Sequence, residues 1–230
     1  MNLTFASVVN TTYNAYVFRV DADSAPERQY DVLTAAGRNG AYLQDKKRFP
    51  NVPMSYYFFF VPGQNTTAEE NYNSWRQVYM SKIGYHRLSD TEHPNEYYKA
   101  YLVRITPTVS RERSLIKALV EFSRLPMRYL TAGESVTTLT ADGTVSNPTQ
   151  FPSMPFLRVY GNGVLTINSN TITISSSSSY TDIDFETGEC TGGTITLSTP
   201  DFVPLVSGNN TFDLGDGITK VEITPRWWQV

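Results

Sequence analysis

Residues 54–61 read MSYYFFFV, the most apolar run in the 230-residue chain. Alternate side chains of a strand project to opposite faces, and here both faces are apolar. One face carries Tyr56, Phe58 and Phe60, and the other carries Tyr57, Phe59 and Val61. A strand that is apolar on both faces must be covered on both, either within its own domain or by another subunit. We therefore predict that residues 56–60 contribute to an oligomer interface.

A helix is predicted directly after this strand. Thr67 followed three residues later by Glu70 is typical of a capping box at a helix N-terminus. Four apolar side chains then fall at offsets of 0, 3, 7 and 11 residues, which places them on one helical stripe. They are Tyr72, Trp75, Tyr79 and Ile83. Gly84 is placed to end the helix.

The charge of the chain changes sign near residue 130. Residues 1–130 contain 16 Lys and Arg against 12 Asp and Glu, whereas residues 131–230 contain 3 against 10. Such a change predicts a domain boundary, with domains 1–130 and 131–230. The cations of the first half are scattered apart from residues 46–48, so we expect no sequence-specific contact with nucleic acid.

Further strands of the first half are predicted from segments rich in Tyr, Val and Phe. They lie at 13–20, 28–33 and 96–105, and GRNG at 37–40 predicts a turn. Residues 111–125 are ambiguous, because their apolar positions fit both a helix and an alternating strand.

The second half predicts a β-sandwich or barrel. It is rich in Thr, Ser, Gly and Asn, with short apolar runs between turn signals and no helical pattern. GNG at 161–163 is expected to be a hairpin turn. GNN at 208–210 and GDG at 215–217 are expected to be turns as well. Candidate strands lie at 135–140, 156–160, 164–167, 171–175, 180–186, 194–198 and 219–224.

The sequence offers no catalytic site, metal site or cofactor site. One cysteine, Cys190, rules out an intrachain disulfide and a multi-cysteine zinc site, and two histidines leave little room for acid–base chemistry. Asp182, Asp184 and Glu186 alternate, so a strand places them on one face, where carboxylates can bind calcium. No glycine-punctuated loop supplies further ligands, and a solvent-facing acidic strand explains the pattern equally well.

No membrane association is expected. The first residues lack the basic region and continuous apolar core of a secretory signal. Residues 54–61 are far shorter than the roughly 20 residues that a membrane helix needs. We expect a soluble protein made in a reducing cytoplasm.

Four segments of the second half read SMPFLRVYGNGVLTINSNTITI (153–174), TDIDFETGE (181–189), FVPLVSGNNTF (202–212) and KVEITPRWW (220–228). In this order they resemble the C-terminal domain of siphophage distal tail proteins, the Dit family. The first half is similar to the N-terminal Dit domain in GRNG, in the helix with Trp75, in GYHRLSDTEHPNEYYKAYLV (84–103) and in VEFSRLPMRYL (120–130).

The resemblance implies a mainly β protein: a split β-barrel with one helix and a hairpin, followed by a galectin-like antiparallel β-sandwich. It implies that residues 115–124 form a strand. It also implies a structural, non-enzymatic hub in the virion: a homohexameric ring at the distal end of the tail. Its partners would be the tail tube protein, a tail-associated hub protein and receptor-binding or baseplate proteins, with synthesis in the bacterial host cytoplasm.

Two interpretations of the second half stay open. Trp227 and Trp228 either anchor the sandwich at an interface or pack in the core of the last strand, and core packing is the preferred interpretation. The alternative function is a carbohydrate-binding module for host cell-wall glycans. Such a site normally presents an exposed aromatic platform, and residues 156–212 contain no Trp.

Overall fold

Antiparallel strands make up most of the chain. The computed structural model describes residues 1–21, 24–37, 39–109 and 114–230. It divides into two units, Met1–Arg128 with Val230, and Tyr129–Gln229. The described residues form one α-helix, so the predicted mainly β fold is confirmed. Arg38 of the predicted GRNG turn and residues 111–113 lie outside the described residues.

The described residues of the first unit form nine strands, one α-helix and a 3-10 helix at Asn10–Tyr13. They are β1 (Leu3–Phe5), β2 (Val8–Val9), β3 (Ala15–Arg19), β4 (Tyr30–Leu33), β5 (Tyr42–Asp45), β6 (Val52–Phe60), α1 (Ala68–Met80), β7 (His86–Asp90), β8 (Glu96–Val109) and β9 (Ile116–Arg124). The main sheet has the strand order β2-β1-β7-β8-β9-β6-β3, and β4 pairs with β5 in a separate two-stranded sheet.

The ambiguous segment after residue 113 is a strand. In β9, buried and half-buried residues alternate along its whole length. Ile116, Ala118, Val120 and Phe122 are each at most 2% exposed and face the core of the unit. Strand β9 is paired on both sides, with β6 and β8, and every second side chain is buried. This tertiary packing outweighs the slight helical propensity of the segment.

Helix α1 begins as predicted and ends earlier than predicted. Thr67 accepts a hydrogen bond from the backbone N–H of Glu70, and the Glu70 carboxylate accepts one from the backbone N–H of Thr67, which completes the capping box. The helix ends at Met80, so Ile83 lies beyond it and is 91% exposed. The predicted stripe is therefore wrong at Ile83, because the turn through Gly84 begins first.

The second unit is a sandwich of two five-stranded sheets, ordered β11-β20-β13-β16-β17 and β12-β19-β14-β15-β18. Inward residues of both sheets, including Leu157, Ile174 and Phe212, share one apolar cluster. Its strands are β10 (Arg128–Leu130) at the junction, β11 (Thr137–Leu139), β12 (Gly143–Asn147), β13 (Phe156–Gly161), β14 (Gly163–Ile167), β15 (Asn170–Ser176), β16 (Thr181–Asp184), β17 (Glu189–Thr191), β18 (Gly193–Leu197), β19 (Gly208–Leu214), β20 (Ile218–Thr224) and β21 (Trp228–Gln229); a 3-10 helix spans Thr131–Glu134.

The predicted hairpin at residues 161–163 is wrong. Strand β13 pairs with β16 and β20, whereas β14 pairs with β15 and β19, so the turn carries the chain from one sheet to the other. The turn at 215–217 makes the reverse crossing beside it, and the Asn162 N–H donates to Gly217 O at 3.1 Å. Gly161 and Gly217 have φ of +101° and +91°, and a Cβ on either would overlap the other crossing's backbone.

The predicted turn at 208–210 is also wrong, since these residues begin strand β19. Asn210 is fully buried, and its side-chain amide donates to the backbone carbonyls of Val145, Val206 and Gly208. An asparagine that looks like a turn residue in the sequence therefore satisfies buried backbone groups at the start of a strand that is paired on both sides.

Candidate oligomer interface

Strand β6 buries one face within its own unit. Tyr56, Phe58 and Phe60 are each 0% exposed. The interface predicted from residues 56–60 is therefore wrong for these three residues, because they have no surface left to offer to another chain.

The aromatic stripe of α1 covers this inner face. The Trp75 ring centroid lies 4.8 Å from that of Phe58 and 5.0 Å from that of Phe60. Tyr72 and Phe60 meet edge to face at 5.4 Å. Aromatic pairs at these separations add to the free energy gained by burial. Helix α1 of the same chain therefore covers the inner face of β6, which was predicted to contact another subunit.

The outer face of β6 stays partly open. Tyr57 and Phe59 are half-buried there, and Tyr16 and Phe18 on the neighbouring strand β3 are 62% and 58% exposed. The register sets Tyr16 opposite Phe59 and Phe18 opposite Tyr57. We call these four side chains the outer aromatic patch. Contiguous exposed apolar surface of this kind marks interaction sites on soluble proteins.

Lys117 on β9 borders the outer aromatic patch. Its Nζ lies 3.6 Å from the centroid of the Tyr57 ring and 5.7 Å from that of Phe59. A cation over an aromatic face is attracted by the ring quadrupole. The patch is therefore apolar at β3 and cationic at β9.

Strand β3 lies at the end of the sheet path, and its free edge is partly capped by the chain itself. The N-terminal ammonium of Met1 donates to Val17 O at 3.2 Å, and the buried Asn10 amide donates to Ala15 O. Capped carbonyls give an added strand fewer partners. The side chains of the patch, rather than the strand edge, are thus the surface available for contact.

Sequence reasoning missed a second exposed apolar element, the hairpin formed by β4 and β5. It predicted a strand at 28–33 and none at the return. The apolar side chains of the hairpin are 44–65% exposed. They are Tyr30, Val32, Leu33, Tyr42 and Leu43. Each strand of the hairpin is only four residues long and mostly exposed, so its sequence shows little alternation of apolar and polar residues. Gly37 and Gly40, both with positive φ, mark the turn region between the two strands.

Two carboxylates of the acidic strand of the second unit are paired with arginines. Asp182 is held by Arg158, and Asp184 accepts two hydrogen bonds from Arg226, at 2.7 and 2.8 Å. The Arg226 guanidinium holds the pKa of Asp184 below its usual range, helped by the backbone N–H of Glu186. Glu186 itself lies beyond the end of β16.

The remaining sequence expectations concern metals, membranes and the terminal tryptophans. The described residues contain no group of three or more His, Cys, Asp or Glu side chains that could hold a metal ion. Within the same residues, no helix has the length and apolar character to cross a membrane. Trp227 is 5% exposed in the sandwich core, and Trp228 stacks on Phe151 with centroids 4.6 Å apart. Core packing is therefore confirmed for Trp227.

The two units, in this order, are similar in fold to solved phage hub and baseplate proteins. In particular, the chain is similar over 100% of its length to 99% of the crystal structure of SPP1 Dit, with a TM-score of 0.70 and 15% identity. That protein is described as a paradigm of the hub adsorption apparatus in phages that infect Gram-positive bacteria. The chain is also similar to a protein of the phage p2 baseplate in its activated conformation, with a TM-score of 0.50, 11% identity and 96% of each chain covered. No protein-family profile and no curated protein sequence matches the chain.

Because both structures are less than 25% identical to this chain, the similarity establishes its fold alone. The Dit resemblance predicted from the sequence is confirmed at that level.

Proposed function

We propose that this protein is a non-enzymatic structural hub at the distal end of a phage tail, where six copies form a ring. The observation that carries the proposal is the likeness to SPP1 Dit over the whole of both chains. The partners are the tail tube protein, a tail-associated hub protein and receptor-binding or baseplate proteins, and the location is the tip of the virion tail.

The outer aromatic patch supports assembly of the first unit. Among residues 56–60, Tyr57 and Phe59 have side-chain surface that another chain can contact. The exposed rings of Tyr16 and Phe18 enlarge this surface. In a ring each copy meets two neighbours through two different surfaces, a heterologous contact that closes by rotation. The patch supplies one such surface on the first unit.

The charge difference between the halves supports a fixed orientation in a layered assembly. The first 130 residues carry a formal excess of cations, and the remaining 100 carry an excess of anions. Opposite electrostatic fields on two stacked layers of protein steer their association and disfavour an inverted orientation. They contribute less to the binding affinity between the layers.

The carbohydrate-binding alternative gains no support from the aromatic rings on the outer face of the second unit. Lys220 Nζ lies 3.8 Å from the centroid of the Tyr160 ring, and the Arg158 guanidinium lies 4.2 Å from that of Tyr180. A sugar platform needs an open ring face. These two rings already hold cations of their own chain on one face.

Light scattering coupled to size-exclusion chromatography, followed by negative-stain imaging, tests the proposal. We expect a species of six chains that forms a ring with a central hole. A chain that stays monomeric at high concentration, both alone and with the tail tube protein, would contradict the ring. Binding of cell-wall glycans by residues 131–230 would favour the alternative.

A further inference from the structure

The apolar side chains of the β4–β5 hairpin are largely exposed within the part of the chain that the structure describes. Two paired strands alone are marginally stable in water, because they bury too little apolar area. Val32 and Leu43 are 64% and 65% exposed on one face, and Leu33 and Tyr42 are 52% and 50% exposed on the other. At its base the hairpin is held by ion pairs, Arg28 with Asp45 among them.

A groove of about 530 Å³ lies between α1 and β8 in the same unit. Its lining includes Tyr72, Arg76 and Met80 from the helix and Val103, Ile105 and Pro107 from the strand. Met80 is 61% exposed and Val103 is 57% exposed, so the groove is open to solvent. Its apolar side chains lie beside the polar side chains of Arg76, Gln77 and Arg104.

Two features of β8 shape this groove. The register with β9 shifts between Leu102 and Arg104, which leaves Val103 as an extra residue on β8. Such bulges re-aim side chains, and this one turns an apolar side chain outward. Pro107 has no N–H to donate to an added strand. The groove therefore suits docking through side chains better than extension of the sheet.

The groove and one face of the hairpin have a similar arrangement of apolar and charged side chains. On that face Leu33 and Tyr42 form an apolar cross-strand pair, and Asp31 precedes Leu33 by two residues. In the groove, Met80 is apolar and Arg76 lies one helical turn away. Both surfaces thus place an apolar contact beside a charge, separated by roughly 5–7 Å.

The charges of the two surfaces are complementary. Arg76 lies 5.9 Å from the Tyr72 ring centroid and has no carboxylate partner among the described residues. The Asp31 side chain is 50% exposed and pairs with Lys46 alone among those residues, at 2.6 Å. On the other hairpin face, Asp45 is already satisfied by Arg28 and by the Lys47 N–H, at 2.9 Å.

We propose that the hairpin face with Asp31, Leu33 and Tyr42 docks into the α1–β8 groove of a second copy of this chain, with Asp31 against Arg76. The contact rests on the proposed ring and names two of the surfaces that meet in it. Both surfaces are solvent-exposed on one chain, so the hairpin does not fill its own groove. Docking of one copy onto the next is head to tail, the geometry that closes into a ring.

Thiol crosslinking tests the contact in the full chain. In a Cys190→Ser background, Leu33→Cys and Met80→Cys are combined in one chain and treated with a short bismaleimide. We expect a ladder of covalent species that ends at six chains. The matched control combines Val32→Cys with Met80→Cys, because Val32 lies on the opposite hairpin face and is 64% exposed, against 52% for Leu33. We expect no ladder from the control.

Charge reversal tests the ion pair. Arg76→Glu and Asp31→Lys should each lower the crosslinking yield about fivefold, and the two together should restore most of it. Lys82→Glu, just beyond α1 and outside the groove lining, should leave the yield unchanged.

The outcomes separate this contact from the ring itself. Rings that form without a Leu33–Met80 ladder would overturn the docking contact and leave the proposed function standing. A crosslink confined within one chain, or a ladder from the Val32 control alone, would also overturn it. A chain that stays monomeric with the tail tube protein present would overturn both proposals.

Discussion

Phe18 on β3 and Phe59 on β6 meet edge to face on the solvent side of the sheet, with ring centroids 5.6 Å apart and planes at 86°. On the opposite side of the same strand, Phe58 is sealed under Trp75. Two consecutive phenylalanines of one strand therefore have different roles: Phe58 stabilises the unit, and Phe59 is available to another molecule.

Substitution of these two residues separates assembly from stability. Phe58→Ala should lower the free energy of unfolding of the first unit by about 3–5 kcal/mol, because it leaves a cavity in the core. Phe59→Ser should cost about 1 kcal/mol, since its ring is already partly in water, and should reduce the hexamer fraction. Denaturant titration and light scattering measure the two effects. Val136→Ser, at an exposed apolar position of the second unit, is the control for assembly.

The capping box of α1 makes a local contribution. Thr67→Ala removes the hydroxyl that accepts the Glu70 N–H and should cost about 1 kcal/mol of unfolding free energy. Thr66→Ala, one residue earlier and exposed, should change stability by no more than a few tenths of a kcal/mol. Equal effects in thermal denaturation would show that the cap does not hold the helix.

The two adjacent turns that cross between the sheets of the sandwich, at 161–163 and 215–217, predict that alanine substitution is more destabilising at Gly161 than at Gly208. Gly161 and Gly208 both have positive φ, so alanine at either strains the backbone by about 1 kcal/mol. Only at Gly161 would the added Cβ also overlap a backbone carbonyl, that of Gly217. Gly161→Ala should therefore be the more destabilising by about 2 kcal/mol or more, as read from denaturant midpoints. Similar midpoints would mean that the crossings separate without cost.

The ion pair of Asp184 and Arg226 predicts how the stability of the second unit depends on pH. The folded-state pKa of Asp184 is lowered, so its stabilisation is present at neutral pH and is lost as the pH falls through that folded value. Asp184→Asn should cost up to about 1 kcal/mol at pH 7. The difference from the unmodified protein should shrink below about pH 4.

A control on the same unit isolates this pair. Asp201 is exposed and has no cation partner among the described residues. Asp201→Asn should change the free energy of unfolding at pH 7 by no more than a few tenths of a kcal/mol. A stability difference for Asp184→Asn that stays constant from pH 7 to pH 3 would contradict the assignment.

The sequence alone determined the features that rest on neighbouring residues and on side-chain period. The capping box at Thr67, the aromatic stripe through Tyr79 and the alternation along β6 are all local patterns. The Dit resemblance likewise rested on short segments in a fixed order, and the fold confirms it.

Tertiary structure alone decided which surfaces are covered. Helix α1 seals one face of β6, a contact between elements that period-2 alternation cannot assign to a partner. The turn at 161–163 carries the chain between sheets, because strand pairing is settled by residues distant in sequence, such as Gly217. Exposure of the β4–β5 hairpin and of Val103 is likewise a property of packing. Burial depends on what the rest of the chain places nearby, so a local pattern shows that a face needs cover without showing what provides it.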